Sequence, residues 1–275
     1  SYVTLTIREA LTLPGAITAS LNPVCVGTTG ITYSVADAAA PEPVGGATRY
    51  YWTVPSGWTI TSGQFTQMIT VSAPGTAGSG EVRVFRQYSS APTCSSPARS
   101  LAVSARANSV GGTISGTAGI CIGSSTGYMT LSDYVGTILR WEYSTNGGSS
   151  WSNVAYSSGR YRITYTPSSA GTWLFRAVVQ NSPCSVAYSN EYSVTVSPAT
   201  VLGTLSRPGS NTCINQTTGN FTYTGYTGTI TKWSYRRSSS GSWTNVTTSS
   251  ENFSFTPNQT GTYYVRAYVR SGYCP

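Results

Sequence analysis

One stretch decides the fold of this chain: Cys121-Ile-Gly-Ser-Ser-Thr-Gly-Tyr-Met-Thr-Leu-Ser-Asp-Tyr-Val-Gly-Thr-Ile-Leu-Arg-Trp141. It contains two short runs in which apolar and polar residues alternate, separated by a turn. Alternation with a period of two places one set of side chains on each face of a β-strand. The stretch therefore predicts two strands, the second of which carries Trp141, and a second cysteine follows at Cys184.

This unit of cysteine, tryptophan and cysteine occurs three times. The units are Cys25–Trp52–Cys94, Cys121–Trp141–Cys184 and Cys213–Trp233–Cys274. About seven short strands around a central tryptophan in ~90 residues are typical of an Ig-like sandwich. The sequence therefore predicts an all-β chain of three tandem β-sandwich domains, each with its tryptophan in the core.

The composition agrees with this fold class. Of the 275 residues, only 9% are charged, 39% are hydrophobic and none is histidine. Chains rich in Gly, Ser, Thr, Tyr and Val form short strands joined by tight turns. No apolar run approaches the ~20 residues that a membrane-spanning helix needs, so direct membrane insertion is not expected.

Six cysteines, two in each unit, indicate an oxidising and hence extracellular compartment. If each domain closes its own bridge, the pairs are Cys25–Cys94, Cys121–Cys184 and Cys213–Cys274. Zinc is the competing use of cysteine, but it needs closely spaced cysteine clusters or histidine partners, and the sequence has neither. The sequence therefore predicts three disulfides within domains and no metal.

Two sets of motifs resemble known repeat domains. The run Trp52-Thr-Val-Pro-Ser-Gly-Trp58, followed by Ile69-Thr-Val71, resembles the PKD-like domains of giant secreted surface proteins of Bacteroidetes. The runs Tyr134-Val-Gly-Thr-Ile-Leu-Arg-Trp141 and Gly225-Tyr-Thr-Gly-Thr-Ile-Thr-Lys-Trp233 resemble the Ig-like repeats of the same adhesin group, which includes gliding-motility adhesins. The resemblance implies a secreted protein at the cell surface.

The domain organisation follows from these units. The predicted segments are an orphan strand in residues 1–12, a PKD-like sandwich in 13–107, an Ig-like sandwich in 108–199 and an incomplete Ig-like sandwich in 200–275 that lacks its final strand. Ser1–Ile7 alternates like the strand that the last domain lacks. Two explanations stay open. The segment is the last strand of a preceding domain, or it is a donor strand that completes domain three of an identical subunit.

Catalysis is not expected. Without histidine the chain has no Ser-His-Asp or Cys-His arrangement. Its eight acidic residues are scattered, and no spacing sets two carboxylates facing each other. No calcium-loop or phosphate-loop motif is present. The sequence predicts that the protein is not an enzyme and needs no cofactor.

Positive charge is concentrated in domain three, which has six basic residues against one acidic residue. Strand alternation places Lys232 and Arg236 on one outer face and adds Arg266, Tyr268 and Arg270 from a neighbouring strand. Arginine suits carboxylate, sulfate and phosphate groups. The five residues are a candidate site for an anionic ligand. The alternative is a solvated face that keeps the protein soluble. No motif indicates nucleic acid binding.

The sequence favours a structural stalk or adhesion segment of a large secreted cell-surface adhesin that serves gliding motility or surface attachment. Two alternatives remain: a glycan-binding module that uses the Arg/Tyr patch of domain three, and a subunit of a polymeric fibre completed by donor-strand exchange. The expected partners are neighbouring domains of the same long chain, identical subunits, or surface polysaccharide.

Overall fold

The computed structural model describes residues 2, 3, 5, 7, 8, 10–36, 48–90, 93–155 and 157–275. All helix or strand elements assigned within these ranges are β-strands. The chain forms two compact units. The first comprises Ser1–Gly111, Asp133–Thr137 and Val178–Tyr188, and the second comprises Gly112–Ser132, Ile138–Ala177 and Ser189–Pro275.

Domain one lies in the first unit and consists of two four-stranded sheets. Its strands are β1 (Ile17–Ala19), β2 (Val24–Cys25), β3 (Ile31–Val35), β4 (Thr48–Thr53), β5 (Thr59–Ser62), β6 (Met68–Ser72), β7 (Gly78–Tyr88) and β8 (Arg99–Arg106). The sheet orders are β1-β3-β6-β5 and β2-β8-β7-β4. Alternate residues of the strands face inward, as in β3, where Ile31, Tyr33 and Val35 are buried.

Domain two is a second pair of sheets. Its strands are β9 (Thr113–Ser115), β10 (Gly119–Cys121), β11 (Met129–Ser132), β12 (Thr137–Ser144), β13 (Ser152–Asn153), β14 (Arg162–Ile163), β15 (Gly171–Gln180), β16 (Ala187–Tyr188) and β17 (Tyr192–Ser197). One sheet has the order β14-β11-β9, and the other has the order β10-β17-β15-β12-β13, with β16 beside β15. Met129, Trp141 and Phe175 are fully buried between them.

Domain three lies in the second unit and has two three-stranded sheets. Its strands are β18 (Thr204–Ser206), β19 (Phe221–Thr224), β20 (Thr229–Arg237), β21 (Thr244–Val246), β22 (Asn252–Phe253) and β23 (Tyr263–Arg270). The sheet orders are β18-β19-β22 and β21-β20-β23. Tyr223, Ile230, Trp233 and Phe253 form its buried core. The prediction of an all-β chain of tandem sandwiches is confirmed.

The tryptophan of each cysteine–tryptophan–cysteine repeat lies in the core of its own sandwich. Trp52, Trp141 and Trp233 are at most 2% exposed. Each indole Nε1–H donates to a backbone carbonyl, of Thr66 at 2.9 Å, Arg160 at 2.8 Å and Ser250 at 2.9 Å. A buried indole N–H needs such a partner. The three domains therefore repeat both the packing of the tryptophan and the hydrogen bond of its Nε1–H to a backbone carbonyl.

Strand direction places the two cysteines of a domain far apart. β2 runs parallel to β8, with Cys25 opposite Arg106 at the end of β8. β7 and β8 are antiparallel, so Cys94, in the turn between them, lies at the other end of the sheet. The eight residues of β8 span about 25 Å at ~3.3 Å per residue. Disulfide-bonded residues have Cα atoms within about 7 Å. A bridge inside domain one is therefore excluded.

Domain two repeats this arrangement. β10 runs parallel to β17, with Cys121 opposite Ser197 at the end of β17, while Cys184 lies in the turn between β15 and β16. The predicted pairs Cys25–Cys94, Cys121–Cys184 and Cys213–Cys274 are wrong. The disulfides that form are Cys25–Cys184 and Cys121–Cys274, and Cys94 and Cys213 are free.

The predicted orphan strand Ser1–Ile7 falls partly outside the described residues, because residues 1, 4 and 6 are not described. Its other four residues, Tyr2, Val3, Leu5 and Ile7, belong to no strand and are 81–97% exposed. In domain three, β23 pairs with β20 along one edge. No strand of the described residues pairs with its other edge.

Candidate functional site

The two disulfides join consecutive domains. Cys25 of domain one bonds to Cys184 of domain two, with Cα atoms 5.5 Å apart, and Cys121 of domain two bonds to Cys274 of domain three, with Cα atoms 4.6 Å apart. Each bond lies within one compact unit. In both cases the first cysteine of one domain pairs with the second cysteine of the next. We call each bond and the contacts around it a junction.

The first junction is surrounded by hydrogen bonds. Asn181, three residues before Cys184, donates from its backbone N to Ser109 Oγ at 2.9 Å and from Nδ2 to the Ala107 carbonyl at 2.7 Å. Arg106 Nη1 donates to the Ser182 carbonyl at 2.9 Å. The turn before Cys184 is thus held against the residues that follow β8, which fixes the cysteine beside its partner.

The second junction uses the same positions. Ser271, three residues before Cys274, donates from its backbone N to Thr200 Oγ1 at 3.0 Å. Tyr273 N donates to Ser197 Oγ at 3.0 Å. Thr200 occupies the position that Ser109 occupies in the first junction. Each of these residues precedes a valine that forms an isolated β-bridge. These bridges are Val110↔Val135 and Val201↔Thr227.

A glycine is required at each junction. Gly136 and Gly228 follow the two bridges and have φ angles of +122° and +125°. A Cβ atom at Gly136 would lie 2.5 Å from the backbone carbon of Gln180, and one at Gly228 would lie 2.6 Å from the Arg270 carbonyl oxygen. Only glycine permits both this φ and this close approach. The junction is therefore a repeated structure and not a single chance contact.

The predicted anionic-ligand residues lie on the outer face of the β20–β23 pair. The register places Lys232 opposite Tyr268 and Arg236 opposite Tyr264. Arg270 is exposed on the same face of β23 as Arg266 and Tyr268, and its Nε donates to the Cys274 carbonyl at 3.2 Å. The structure therefore places Arg270 at the turn of the second junction, beyond the other four residues.

Together with Trp243 and Tyr264, the other four residues form a series in which cations and aromatic rings alternate. We call this series the cation–aromatic ladder. Its members are Lys232, Arg236, Trp243, Tyr264, Arg266 and Tyr268. The Lys232 ammonium lies 4.2 Å from the centre of the Tyr268 ring, and the Arg266 guanidinium lies 4.8 Å from the same ring. Arg266 and Arg236 lie 3.8 Å and 4.5 Å from the centre of the Trp243 ring. Arg236 also lies 5.4 Å from the Tyr264 ring.

Sequence reasoning missed Trp243 and Tyr264. Tyr264 shares a face with Arg266 and Tyr268 by strand alternation, so the periodicity alone could have included it. Trp243 lies immediately before β21, which pairs with β20. Its place over the arginines depends on the hairpin geometry, which the sequence pattern does not specify.

Neither a metal centre nor a membrane span is found within the described residues. No three His, Cys, Asp or Glu side chains are grouped there so as to hold a metal ion. No helix in that part of the chain is long and apolar enough to cross a bilayer. The disulfides indicate an oxidising, extracellular environment.

Comparison with known families supports the fold of domain one. Residues 10–103 match the family model of the PKD-like domain, and residues 110–198 match that of a domain of unknown function, DUF8696. The predicted likeness of domain one to PKD-like domains is confirmed. No curated protein matches the chain.

Two crystal structures are similar over most of their length. The FN1–FN3 domains of chicken CNTN1 share 9% identity at a TM-score of 0.32, covering 93% of this chain and 92% of that one. Domains from titin share 10% identity at a TM-score of 0.40, covering 94% and 92%. Likenesses this distant carry no information on function. From its own strands and the family match, the chain is an all-β protein of tandem sandwiches whose first domain is PKD-like.

Proposed function

We propose that this chain is a structural stalk segment of a large secreted adhesin at the cell surface, which serves surface attachment or gliding motility. The observation that carries the proposal is the repeated covalent junction: Cys25–Cys184 and Cys121–Cys274 each join one domain to the next. The PKD-like match of residues 10–103 and the resemblance to Bacteroidetes surface adhesins support it.

The junctions suit a protein that bears load. Two domains joined by a single linker can swivel and separate until the linker is taut. A disulfide at the junction is a second covalent connection, and the hydrogen bonds of Asn181 and Ser271 surround it. The disulfide therefore shares with the linker the tension that passes from one domain to the next.

Limited proteolysis tests this mechanical role. The linkers around residues 107–111 and 198–202 should resist cleavage in the oxidised protein and become sensitive after mild reduction, while the sandwiches stay folded. The variant C94S/C213S, which loses only free thiols, is the matched control and should behave like the wild type. Equal linker cleavage before and after reduction would contradict the proposal. Surface location is tested by labelling intact cells with an antibody against the chain.

The free cysteines support neighbouring domains as partners. Cys25, Cys121 and Cys213 are each followed by the same turn, in which the carbonyl of the cysteine accepts a hydrogen bond from the residue three positions later, at 3.1, 3.0 and 3.2 Å. Cys25 and Cys121 use this position to bond to the next domain. By the same pattern, Cys213 bonds to the second cysteine of a following domain, and Cys94 bonds to the first cysteine of a preceding one.

A polymeric fibre is the second candidate, and the unpaired edge of β23 in the described structure favours it. In a fibre, Cys213 of one subunit bonds to Cys94 of the next, and Ser1–Ile7 of a subunit completes a neighbour's domain three. Oxidation of the purified chain, followed by non-reducing electrophoresis, separates the candidates. Multimers linked through Cys94 and Cys213, and absent in C94S, support the fibre. A chain that stays monomeric on oxidation supports neighbours within one longer chain.

A further inference from the structure

Among the differences between the corresponding strands β12 and β20, one replaces a buried carboxylate with a buried hydroxyl. Glu142 follows the core residue Trp141 in β12, and Ser234 follows the core residue Trp233 in β20. Both side chains are buried, at 5% and 0% exposure. The residues around this position are basic in both domains: Arg140 and Arg176 in domain two, and the corresponding Lys232 and Arg266 in domain three.

In domain two, Glu142 pairs with both arginines. Its Oε1 lies 2.7 Å from Arg140 Nη2, and its Oε2 accepts from Arg176 Nε at 2.8 Å. Arg176 also lies 3.9 Å from the centre of the Trp151 ring. The outer face of domain two therefore has a cation beside a tryptophan, as domain three does, but here the buried Glu142 carboxylate compensates the positive charge.

In domain three, the compensating carboxylate is absent. Ser234 Oγ is hydrogen-bonded to Asn245 Oδ1 at 2.6 Å and carries no charge. None of the ion pairs formed among described residues includes Lys232, Arg236 or Arg266. The ladder holds these three cations beside aromatic rings, which fixes their positions without neutralising them.

We propose that the cation–aromatic ladder of domain three binds an acidic polysaccharide through its carboxylate or sulfate groups. Guanidinium groups present donors in a fork that matches such oxyanions, and a row of fixed cations matches a polymer with repeated negative charge. Arg266 is exposed at the middle of the ladder, while Lys232 and Arg236 lie half-buried on its two sides. This site is independent of the junctions and goes beyond a stalk function.

Nucleic acid fits the ladder less well than a polysaccharide. Single-stranded nucleic acid is bound through aromatic rings on which bases stack. In the ladder, Trp243 lies beside two guanidinium groups, and Tyr268 lies beside an ammonium and a guanidinium group. These rings are therefore already engaged by cations, and the site presents mainly positive charge.

Binding of the full chain to heparin, measured by titration calorimetry at several salt concentrations, tests the proposal. With three cations engaged, the slope of log Kd against log salt should be about 2 to 3. Arg266→Gln should weaken binding at least about 10-fold and lower the slope by about 1. The matched control is Arg162→Gln in domain two, which removes an arginine 4.6 Å from the Tyr128 ring and should leave binding unchanged.

Two further variants exchange the decisive position between the domains. Ser234→Glu should abolish heparin binding, because it restores the carboxylate that compensates the cations in domain two. Glu142→Ser should add a second, weaker binding site in domain two, since it frees Arg140 and Arg176 but Ser144 stands where domain three has Arg236. Since Ser234→Glu buries a charge, its fold is checked by circular dichroism, and Arg266→Gln, at an exposed position, carries the test if that variant fails to fold.

Heparin binding that is lost in Arg266→Gln and kept in Arg162→Gln supports the proposal. No binding by the wild type, or equal loss in both variants, overturns it. Tighter binding to an oligodeoxythymidylate of equal charge than to heparin also overturns it and identifies nucleic acid as the ligand.

Discussion

The bond between Cys25 and Cys184 gives the sharpest test of the junction. The variants Cys25→Ser and Cys184→Ser lie in different domains, yet they remove the same bond. The double variant removes no further bond. We therefore expect the three variants to lose about the same stability, whereas two separate bonds would give losses that add.

The size of the loss follows from the length of chain that the bond closes. The two cysteines are 159 residues apart in the sequence. In the chain-entropy model, a closed loop of this length stabilises the folded state by about 5 kcal/mol at 25 °C. Each single variant should lose up to that amount in urea unfolding, and the double variant should lose no more than either single variant.

Counting thiols in the denatured, unreduced protein checks the same pairing without reference to stability. The wild type should show two thiols, those of Cys94 and Cys213. Each single variant should show three, because the released partner is added to these two, and the double variant should show two again. Non-reducing peptide mapping should recover the pairs 25–184 and 121–274.

A different pattern would refute the reasoning. With bridges inside each domain, the wild type would show no free thiol and each single variant would show one. The stability losses of Cys25→Ser and Cys184→Ser would then add in the double variant. Either result would mean that strand direction does not determine the pairing.

Three other substitutions test the core and the charges. Glu142→Gln should destabilise domain two by about 2–3 kcal/mol in urea unfolding, less than for a fully buried triad because Arg140 is 39% exposed. Trp233→Ala should cost about 3–5 kcal/mol and unfold domain three, seen in near-ultraviolet circular dichroism. Burial raises the pKa of Tyr33 from 10.0 to about 12, because the folded state favours the neutral phenol. The stability that the neutral Tyr33 contributes is complete below pH 10 and is lost as the pH rises through 12. Tyr33→Phe should therefore shift alkaline unfolding to higher pH.

Each of these has a control and a contradicting result. The control for Glu142→Gln is Arg83→Gln, which removes an ion pair whose two side chains are largely exposed and should change stability by less than about 1 kcal/mol. If Glu142→Gln lost no more stability than this control, burial would not strengthen the ion pairs of Glu142. Near-native stability of domain three in Trp233→Ala would refute its place in the core. An unchanged alkaline midpoint in Tyr33→Phe would show that Tyr33 does not contribute to alkaline unfolding.

Much of the fold could be predicted from the sequence. Alternation with a period of two and the repeated cysteine–tryptophan spacing indicated tandem sandwiches, because both reflect local geometry along the chain. The motif from Trp52 to Trp58 indicated the PKD-like domain, which the family match confirms. These features depend on neighbouring residues, and a single sequence displays them directly.

The disulfide pairing could not be predicted, because it depends on the direction of a strand. Cys25 and Cys121 each lie on a short strand beside the last strand of their domain. An antiparallel strand would bring the cysteine to the turn at the other end of the sheet, whereas the parallel strand brings it to the end that meets the next domain. Spacing along the chain is the same in both cases.

Position 142 in domain two and position 234 in domain three show how a repeat separates fold from function. The two domains share the core tryptophan, a basic residue directly before it (Arg140 and Lys232) and an arginine on the neighbouring strand, so the fold does not require either residue at this position. Glu142 compensates its arginines and stabilises the face. Ser234 has no charge with which to compensate the cations, and its hydroxyl donates instead to Asn245 Oδ1. A domain that leaves cations without a carboxylate partner, where its neighbour pairs them, loses a stabilising interaction, and the anion binding that we propose is a functional reason for that loss.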